Sequence, residues 1–431
     1  MRIFSTASLR HLAQQKRLKQ VEDLLPDAIS KKCLKRLAVM KTGIEANEIP
    51  GSITESLVSH GLAQKEKLSE AEARLPFLFV KGINIELTYS CNLACSHCLQ
   101  QPLRPSGTAS WFSTELAEKV LQDAKWLGFF RQGLNVTGGE TFLAGSPVLE
   151  VLAISHAMGI PTRANTNAWW GEQSQIQIGT QRFSNDSDVV EALTMRGLQR
   201  LALSLDNRYK QYPQLLSRLV RVASLCEQIG QDYELVATDP AKDISGKFLA
   251  QLFVANGSRK PHHLRVTPMT MVDVGVASPR EAKISNSKKL SVLARTSDCK
   301  GEGFHRPHYL HINPNGGVRS CTYAPGSGWH GNIKEQSLIE ILNTAARNPV
   351  FCLFEQGNLE HFIEKYFEPW QYHYREIQHG CAASALIARL MEHVTKAQKV
   401  DKPHPSDEEM NAIHVQLSRE MGMEDPEQAQ V

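Results

Sequence analysis

The sequence predicts an α/β fold in which six strands alternate with helices and close partly into a (β/α)6 barrel, an incomplete version of the TIM barrel. From Gly82 onward, short apolar runs with strand character alternate with stretches of helical periodicity. Such alternation is typical of a parallel sheet with crossover connections. With 431 residues, 42% of them hydrophobic, the chain is long enough for such a barrel with additions.

Six runs are predicted to form the strands: Ile83–Thr88, Leu134–Thr137, Pro161–Asn165, Leu201–Leu205, Tyr233–Ala237 and Leu264–Pro268. Ser113 is expected to cap a helix over 114–127. Ser146, followed by proline, is expected to open a second helix. In the fourth connecting helix, apolar residues recur at helical spacing at Leu215, Leu219, Val222, Cys226 and Ile229.

Four segments are predicted along the chain. Residues 1–80 form a charged, helical N-terminal segment, and residues 81–285 form the barrel, with a polar insertion at 168–186. Short strands, glycines and histidines indicate a smaller C-terminal domain over 286–395. From residue 401 to the end there are eight acids and two bases, which predicts a flexible acidic tail over 396–431, with a partial helix.

Composition excludes some classes of function. The net charge of +3 argues against a nucleic-acid or membrane-surface partner. Neither a long apolar span nor a secretory signal is found, so we expect a cytoplasmic protein. Residues 1–45 carry ten Lys/Arg and four acids, which is typical of a basic surface helix or, alternatively, of a transit peptide. Nine cysteines without a secretory signal favour metal or catalytic use over disulfides.

Three cysteines follow the first predicted strand. Cys91, Cys95 and Cys98 have the spacing C-x3-C-x2-C on one loop. Three thiolates can bind three irons of an iron–sulfur cubane and leave the fourth iron open, as a catalytic site requires. The alternative is a zinc knuckle without its fourth ligand.

Polar groups also follow the next strands. Gly138-Gly139-Glu140 comes after the second strand, where two glycines would let the backbone approach a ligand and a carboxylate could pair with an ammonium group. The third strand ends in Asn165-Thr-Asn167 and the fourth in Ser204-Leu-Asp206. By itself, Asp206 could equally be a helix cap.

Over about residues 82–275 these motifs resemble the radical S-adenosylmethionine superfamily. The resemblance implies a [4Fe–4S] cluster on Cys91, Cys95 and Cys98, with S-adenosyl-L-methionine on the open iron. Reductive cleavage would then give a 5′-deoxyadenosyl radical that abstracts a hydrogen atom from a substrate. The implied cofactor-binding residues are His97 near the adenine, Gly138, Gly139 and Glu140 at the methionine amino group, Asn167 in a turn where Ala168 replaces the family's glycine, and Ser204 and Asp206 at the ribose.

A second motif lies towards the C-terminus. A strand–glycine–strand pattern runs from Tyr309 to Cys321, and together with Gly331–Leu342 it resembles the auxiliary-cluster extension called SPASM or twitch. The four downstream cysteines, Cys299, Cys321, Cys352 and Cys381, are enough for one further [4Fe–4S] cluster and not for two. The full extension's close cysteine pair is missing.

Other roles remain open for these side chains. All four cysteines could instead be buried thiols, and Cys352, with apolar neighbours, could be a catalytic hydrogen-atom donor. The histidines of this region have poor spacing for zinc; they are His305, His308, His311 and His330.

The predicted function is radical modification of a ribosomally made peptide by cross-linking, epimerisation or oxidation, with an electron donor such as flavodoxin or ferredoxin. Residues 48–62 resemble the segment that grips a precursor peptide in such maturases, although a plain helical cap on the barrel is an alternative. A small metabolite as substrate is the second hypothesis. A non-enzymatic iron–sulfur protein is the third.

Overall fold

The computed structural model describes residues 80–95, 98–103, 105, 110–206, 212–238, 242–269, 309–324, 326–344, 350, 359–374, 380–398 and 404–422. The predicted N-terminal segment up to residue 79 lies outside these ranges. Five of the singled-out residues also lie outside them: His97, Cys299, His305, His308 and Cys352. Of Cys381 only the backbone is described.

Two compact units make up the chain. The sheet unit comprises Asn84–Glu118 and Gly133–Ala282. The terminal unit comprises Met1–Ile83, Lys119–Gln132 and Lys283–Val431. No helix among the described residues is both long and apolar enough to cross a membrane.

All six predicted strands of the sheet are present. They are β1 (Gly82–Glu86), β2 (Gly133–Thr137), β3 (Thr162–Thr166), β6 (Leu198–Leu205), β7 (Tyr233–Thr238) and β8 (Leu264–Met269), in the order β1-β2-β3-β6-β7-β8. The pairings β2–β3, β3–β6, β6–β7 and β7–β8 are all parallel. The predicted α/β class with a parallel sheet is therefore confirmed.

Helices connect the strands. They are α1 (Thr114–Trp126), α2 (Val148–Ala157), α3 (Asp186–Met195), α4 (Pro213–Ile229) and α5 (Lys242–Ala255). Ser113 Oγ accepts from the Leu116 amide at 3.2 Å, and Ser146 Oγ accepts from the Val148 amide at 3.2 Å, so both predicted helix starts carry a side-chain acceptor. The predicted stripe on α4 is buried at Leu215, Leu219, Val222 and Cys226.

The polar insertion is an ordered hairpin. Strands β4 (Ser174–Ile178) and β5 (Gln181–Asn185) pair antiparallel as a separate two-stranded sheet. Just before it, Trp170 is fully buried and its ring lies 6.3 Å from that of Phe142. Asp186 at the end of the insertion accepts two hydrogen bonds from Arg221 of α4, which anchors the insertion to the sheet unit.

The terminal unit contains the predicted strand–glycine–strand hairpin. Strands β9 (Tyr309–Ile312), β10 (Gly317–Arg319) and β11 (Gly331–Asn332) pair antiparallel. Asn313 Oδ1 accepts from the amides of Asn315 and Gly317, both at 2.9 Å, and so closes the turn. Helices α6 (Leu338–Thr344), α7 (Leu359–Tyr366), α8 (Gly380–Ala397) and α9 (Asp407–Glu420) follow, with a 3-10 helix over Glu368–His373.

The acidic tail contains more structure than its composition suggests. Helix α9 starts at a capping box formed by Ser406 and Glu409. It buries Met410, His414 and Leu417, so it is packed rather than isolated. Packing of an apolar face stabilises a helix that its charged composition alone would leave marginal.

His414 is held by two hydrogen bonds in this unit. Its Nε2 lies 2.8 Å from the Tyr366 carbonyl and its Nδ1 lies 2.7 Å from the Tyr374 hydroxyl. Because a carbonyl only accepts, Nε2 carries the proton and Nδ1 accepts from Tyr374. Burial lowers the pKa of His414 and of His393 to about 4 and that of His330 to about 3.

These neutral histidines predict a pH dependence of stability. Below pH 6.5 the unfolded chain binds protons that the folded chain does not bind until about pH 4, so the folded state loses stability as the pH falls through this window. We expect the melting temperature to fall between pH 7 and 4.5. His414→Gln should flatten the slope, measured by thermal unfolding. His262→Gln, which changes an exposed histidine, should leave the slope unaltered.

Candidate functional site

The sequence motifs lie at one edge of the sheet. The cysteine loop follows β1, Gly138-Gly139-Glu140 follows β2, and Asn167 follows β3. Ser204 lies near the end of β6. Because the carboxyl ends of parallel strands meet at the same edge, these groups are brought together where α/β proteins bind their ligands.

The cysteine loop presents three thiols at this edge. Cys91, Cys95 and Cys98 are each half-buried, and none forms a disulfide. The Leu93 amide lies 3.4 Å from Cys91 Sγ, and the Cys98 amide donates to the Cys95 carbonyl at 3.1 Å. Leu93 itself is buried and anchors the loop between the first two cysteines.

The donor chemistry of this loop fits an iron–sulfur cluster. No group of three or more His, Cys, Asp or Glu side chains in the described part of the chain is arranged to hold one metal ion. A cubane does not need such convergence, because each thiolate ligates a different iron. Three partly exposed thiols on one short loop are the ligands that such a cluster takes.

The two glycines let β2 end directly against the start of the cysteine loop. A Cβ on Gly138, whose φ is +141°, would lie 2.5 Å from the Thr88 carbonyl oxygen, and one on Gly139 would meet the Ser90 carbonyl. The Gly139 amide donates to Thr88 at 2.7 Å and the Glu140 amide to Ser90 at 2.9 Å. The close approach in this structure is therefore between two backbone segments of the chain.

The Glu140 carboxylate is buried and engaged within the protein. Its Oε1 accepts from the Thr166 hydroxyl at 2.8 Å and the Phe142 amide at 3.0 Å, and its Oε2 accepts from the Asn167 amide at 2.8 Å. Only 1% of the residue is exposed, and this burial raises its pKa to about 7 against the three hydrogen bonds. Glu140 thus braces the turn after β3 from the loop after β2.

The turn after β3, which is hydrogen-bonded to Glu140, also contacts the cysteine loop. Asn167 Nδ2 donates to Asn92 Oδ1 at 2.9 Å and lies 4.0 Å from Cys91 Sγ. Ala168, where the superfamily that the motifs resemble has glycine, has a φ of +57°. The left-handed turn is therefore retained with a methyl group, at a cost of roughly 1–2 kcal/mol.

The end of β6 contributes two further polar residues. Ser204 is half-buried and Asp206 is buried, with 4% of its surface exposed. Asp206 is not the N-cap of α4, which begins at Pro213 with Tyr212 at its N-cap.

The predicted auxiliary ligands are only partly described. Cys321 follows β10 and is buried, and Cys381 is the second residue of α8. His311 lies 3.0 Å from the Thr322 hydroxyl and His330 lies 3.0 Å from the Ser320 hydroxyl, which is the ordinary bonding of core histidines. Cys226 is fully buried on α4, and burial raises the pKa of its thiol, as a structural cysteine requires.

A row of polar side chains on the sheet was missed by the sequence reasoning. Arg163 on β3 donates to Asn135 on β2, to Asn165 and to Glu234 on β7. Glu234 also accepts from Thr267 on β8. The signal was the alternation of polar and apolar residues in these strands, since parallel strands covered on both faces read as nearly continuous apolar runs.

Comparison with known proteins gives little. No protein-family model matches the sequence, and no curated protein is similar to it. Among solved structures, the crystal structure of methylornithine synthase (PylB) aligns over 61% of this chain and 68% of its own, with 13% identity and a TM-score of 0.31.

Glu140→Ala should destabilise the protein by about 2–4 kcal/mol, because it leaves buried donors of Thr166, Asn167 and Phe142 without their acceptor. Urea unfolding measures this. Glu191→Ala, which removes an exposed glutamate of α3, should stay within about 0.5 kcal/mol of the wild type. Equal losses in the two variants would contradict the bracing role.

Glu140→Gln tests the raised pKa separately. A carboxyl whose pKa is higher in the folded state stabilises the fold at low pH and loses that contribution as the pH rises from 4.5 through about 7. The wild type should therefore lose stability relative to Glu140→Gln as the pH rises from 4.5 to about 7. A difference that is constant from pH 4.5 to 7.5 would argue against the raised pKa.

Proposed function

We propose that this protein is a radical S-adenosylmethionine enzyme. The observation that carries the proposal is the C-x3-C-x2-C loop at the carboxyl edge of a parallel sheet. The Gly-Gly-Glu segment is hydrogen-bonded to the start of that loop, and Asn167 contacts it through Asn92. In this proposal the six strands β1, β2, β3, β6, β7 and β8 are the wall of an incomplete barrel that contains the reaction.

Cys91, Cys95 and Cys98 would hold the cluster. When bound, the cluster and S-adenosyl-L-methionine supply a 5′-deoxyadenosyl radical that removes a hydrogen atom from the substrate. His97, Gly138, Gly139, Glu140, Asn167, Ser204 and Asp206 are the proposed cofactor-binding residues. With the Glu140 carboxylate engaged by three donors, the Gly138-Gly139 backbone is the part of this motif that is better suited to contact the methionine amino group.

The proposed substrate is a ribosomally made peptide, and a small metabolite is the alternative. A reductant of the flavodoxin or ferredoxin type would supply the electron. Cys299, Cys321, Cys352 and Cys381 are the proposed ligands of a second [4Fe–4S] cluster in a SPASM- or twitch-like domain, and Cys352 is alternatively the hydrogen-atom donor. The hairpin with Cys321 after its second strand supports this part of the proposal.

Single substitutions of the loop cysteines test the chemistry. Cys91→Ala, Cys95→Ala or Cys98→Ala should each abolish reductive cleavage of S-adenosyl-L-methionine, because the cluster needs all three thiolates. The assay is 5′-deoxyadenosine formation with dithionite after anaerobic reconstitution. Cys226→Ala, which changes a buried cysteine of α4, should retain cleavage. Near wild-type cleavage by any loop variant would overturn the proposal.

The triple variant Cys91→Ala/Cys95→Ala/Cys98→Ala tests the second cluster. If the downstream cysteines hold one, this variant should still bind about four irons, since four thiolates complete a cubane. Its spectrum should not respond to S-adenosyl-L-methionine, because no iron is open. Adding Cys321→Ala should remove the iron, whereas an iron-free triple variant would mean that the chain holds one cluster.

A further inference from the structure

The two faces of the parallel sheet differ in chemistry. On one face, residues that alternate along the strands are apolar and buried, among them Val136, Ala164, Leu201, Leu203, Tyr233 and Leu235. On the other face the same strands carry Asn135, Asn165, Ser204 and Thr267 together with charged side chains. A parallel sheet buried on both faces would be apolar on both. The polar face therefore has the character of a wet cavity rather than of a core.

Arg163 is held rigidly on this face. Its Nε donates to Glu234 at 2.6 Å, and its Nη1 donates to Asn135 at 2.7 Å and to Asn165 at 2.6 Å. The side chain crosses β6, where Ala202 presents only a methyl group beside Glu234. Nη2 makes no hydrogen bond within the described residues, and 27% of the side chain is exposed. A guanidinium that is fixed in this way is preorganised for a further acceptor.

Arg200 places a second guanidinium beside it. The two arginines are register partners on the neighbouring strands β3 and β6, directly after a register shift. Arg200 alternates with Leu201, which is buried on the apolar face, so both arginines lie on the polar face. Arg200 is half-buried and forms no ion pair or hydrogen bond with the described part of the chain. Like charges directly opposite each other on a sheet are destabilising, and Glu234 already accepts from Arg163. An anion between the two guanidinium groups would relieve this repulsion.

We propose that Arg163 and Arg200 form the subsite that binds an anionic group, a carboxylate or a phosphate, of the substrate. This deepens the proposed function and rests on it for the identity of the reaction. Asn167 follows Arg163 by four residues along the direction of β3, which places the two residues about 13 Å apart. The anionic end of the substrate would then lie on the strands, and the reacting carbon would lie towards the cysteine loop.

The test measures binding of small probes to the full-length protein at fixed ionic strength by titration calorimetry. N-acetylglycine supplies a carboxylate, inorganic phosphate supplies a phosphate, and N-acetylglycinamide is the neutral match of the first. We expect one of the two anions to bind, which identifies the group, and the neutral amide to bind at least about tenfold more weakly. No binding by either anion, or equal binding of the amide, would overturn the proposal.

Variants locate the subsite. Arg200→Gln should weaken anion binding by at least about tenfold without disturbing the fold, since this side chain has no partner among the described residues. Arg163→Gln should do the same, and Arg163→Lys, which keeps the charge, should bind less well than the wild type. Arg182→Gln removes an exposed arginine of the β4–β5 hairpin and should bind as the wild type does. Wild-type affinity of Arg200→Gln for the anion would overturn the proposal.

The same titration on the triple variant Cys91→Ala/Cys95→Ala/Cys98→Ala separates the two proposals. Anion binding there should persist, because the arginines do not depend on a cluster. A wild-type protein that binds the anion but never cleaves S-adenosyl-L-methionine would refute the radical function and leave the subsite standing. A protein that cleaves the cofactor but binds neither anion would refute the subsite and leave the radical function standing.

Discussion

The buried carboxylate of Glu140 holds the candidate site together. It follows β2, yet its three donors come from the last residue of β3, from the turn after β3 and from its own loop. Through Asn167 this brace reaches Asn92 in the cysteine loop. A buried carboxylate is costly unless its lone pairs are satisfied, so the loops that supply its donors are fixed relative to one another.

The two glycines next to Glu140 also fix the loops of the candidate site relative to one another. Gly138 and Gly139 bring the end of β2 so close to Thr88 and Ser90 that no side chain could be accommodated. Two amide donors then bond across the gap. The start of the cysteine loop is therefore set by backbone hydrogen bonds, which are stiffer than side-chain contacts, and a site that must position three thiols benefits from this stiffness.

The sheet itself combines two environments. On its apolar face, Thr162 of β3 donates to Ser155 of helix α2, and its polar face carries the network of Arg163. The network depends on a small residue, since Ala202 leaves room above β6 for the arginine to reach Glu234. Substrate recognition and cluster binding would then use different parts of one sheet, the strand faces for the first and the loops for the second.

Much of the fold could be predicted from local sequence. The six strands, the helix starts at Ser113 and Ser146 and the buried stripe of α4 followed from periodicity and capping, which depend on residues near in sequence. The order of the hairpin at 174–185 was harder to predict, because its turn is held by backbone hydrogen bonds from Gly179 to Leu143 and Gly145, which are distant in sequence. The helix in the acidic tail was underestimated for the same reason.

The candidate site, like the fold, was predictable from the sequence only in part. The sequence by itself determined which residues are candidates for the chemistry, since thiols, paired glycines and a carboxylate at strand ends are recognisable from type and spacing. Only the tertiary structure decided that Glu140 faces inward as a brace and that Arg163, Arg200 and Glu234 share one face. Those facts depend on strand register and on side chains up to 71 positions apart, and no local pattern specifies such distances.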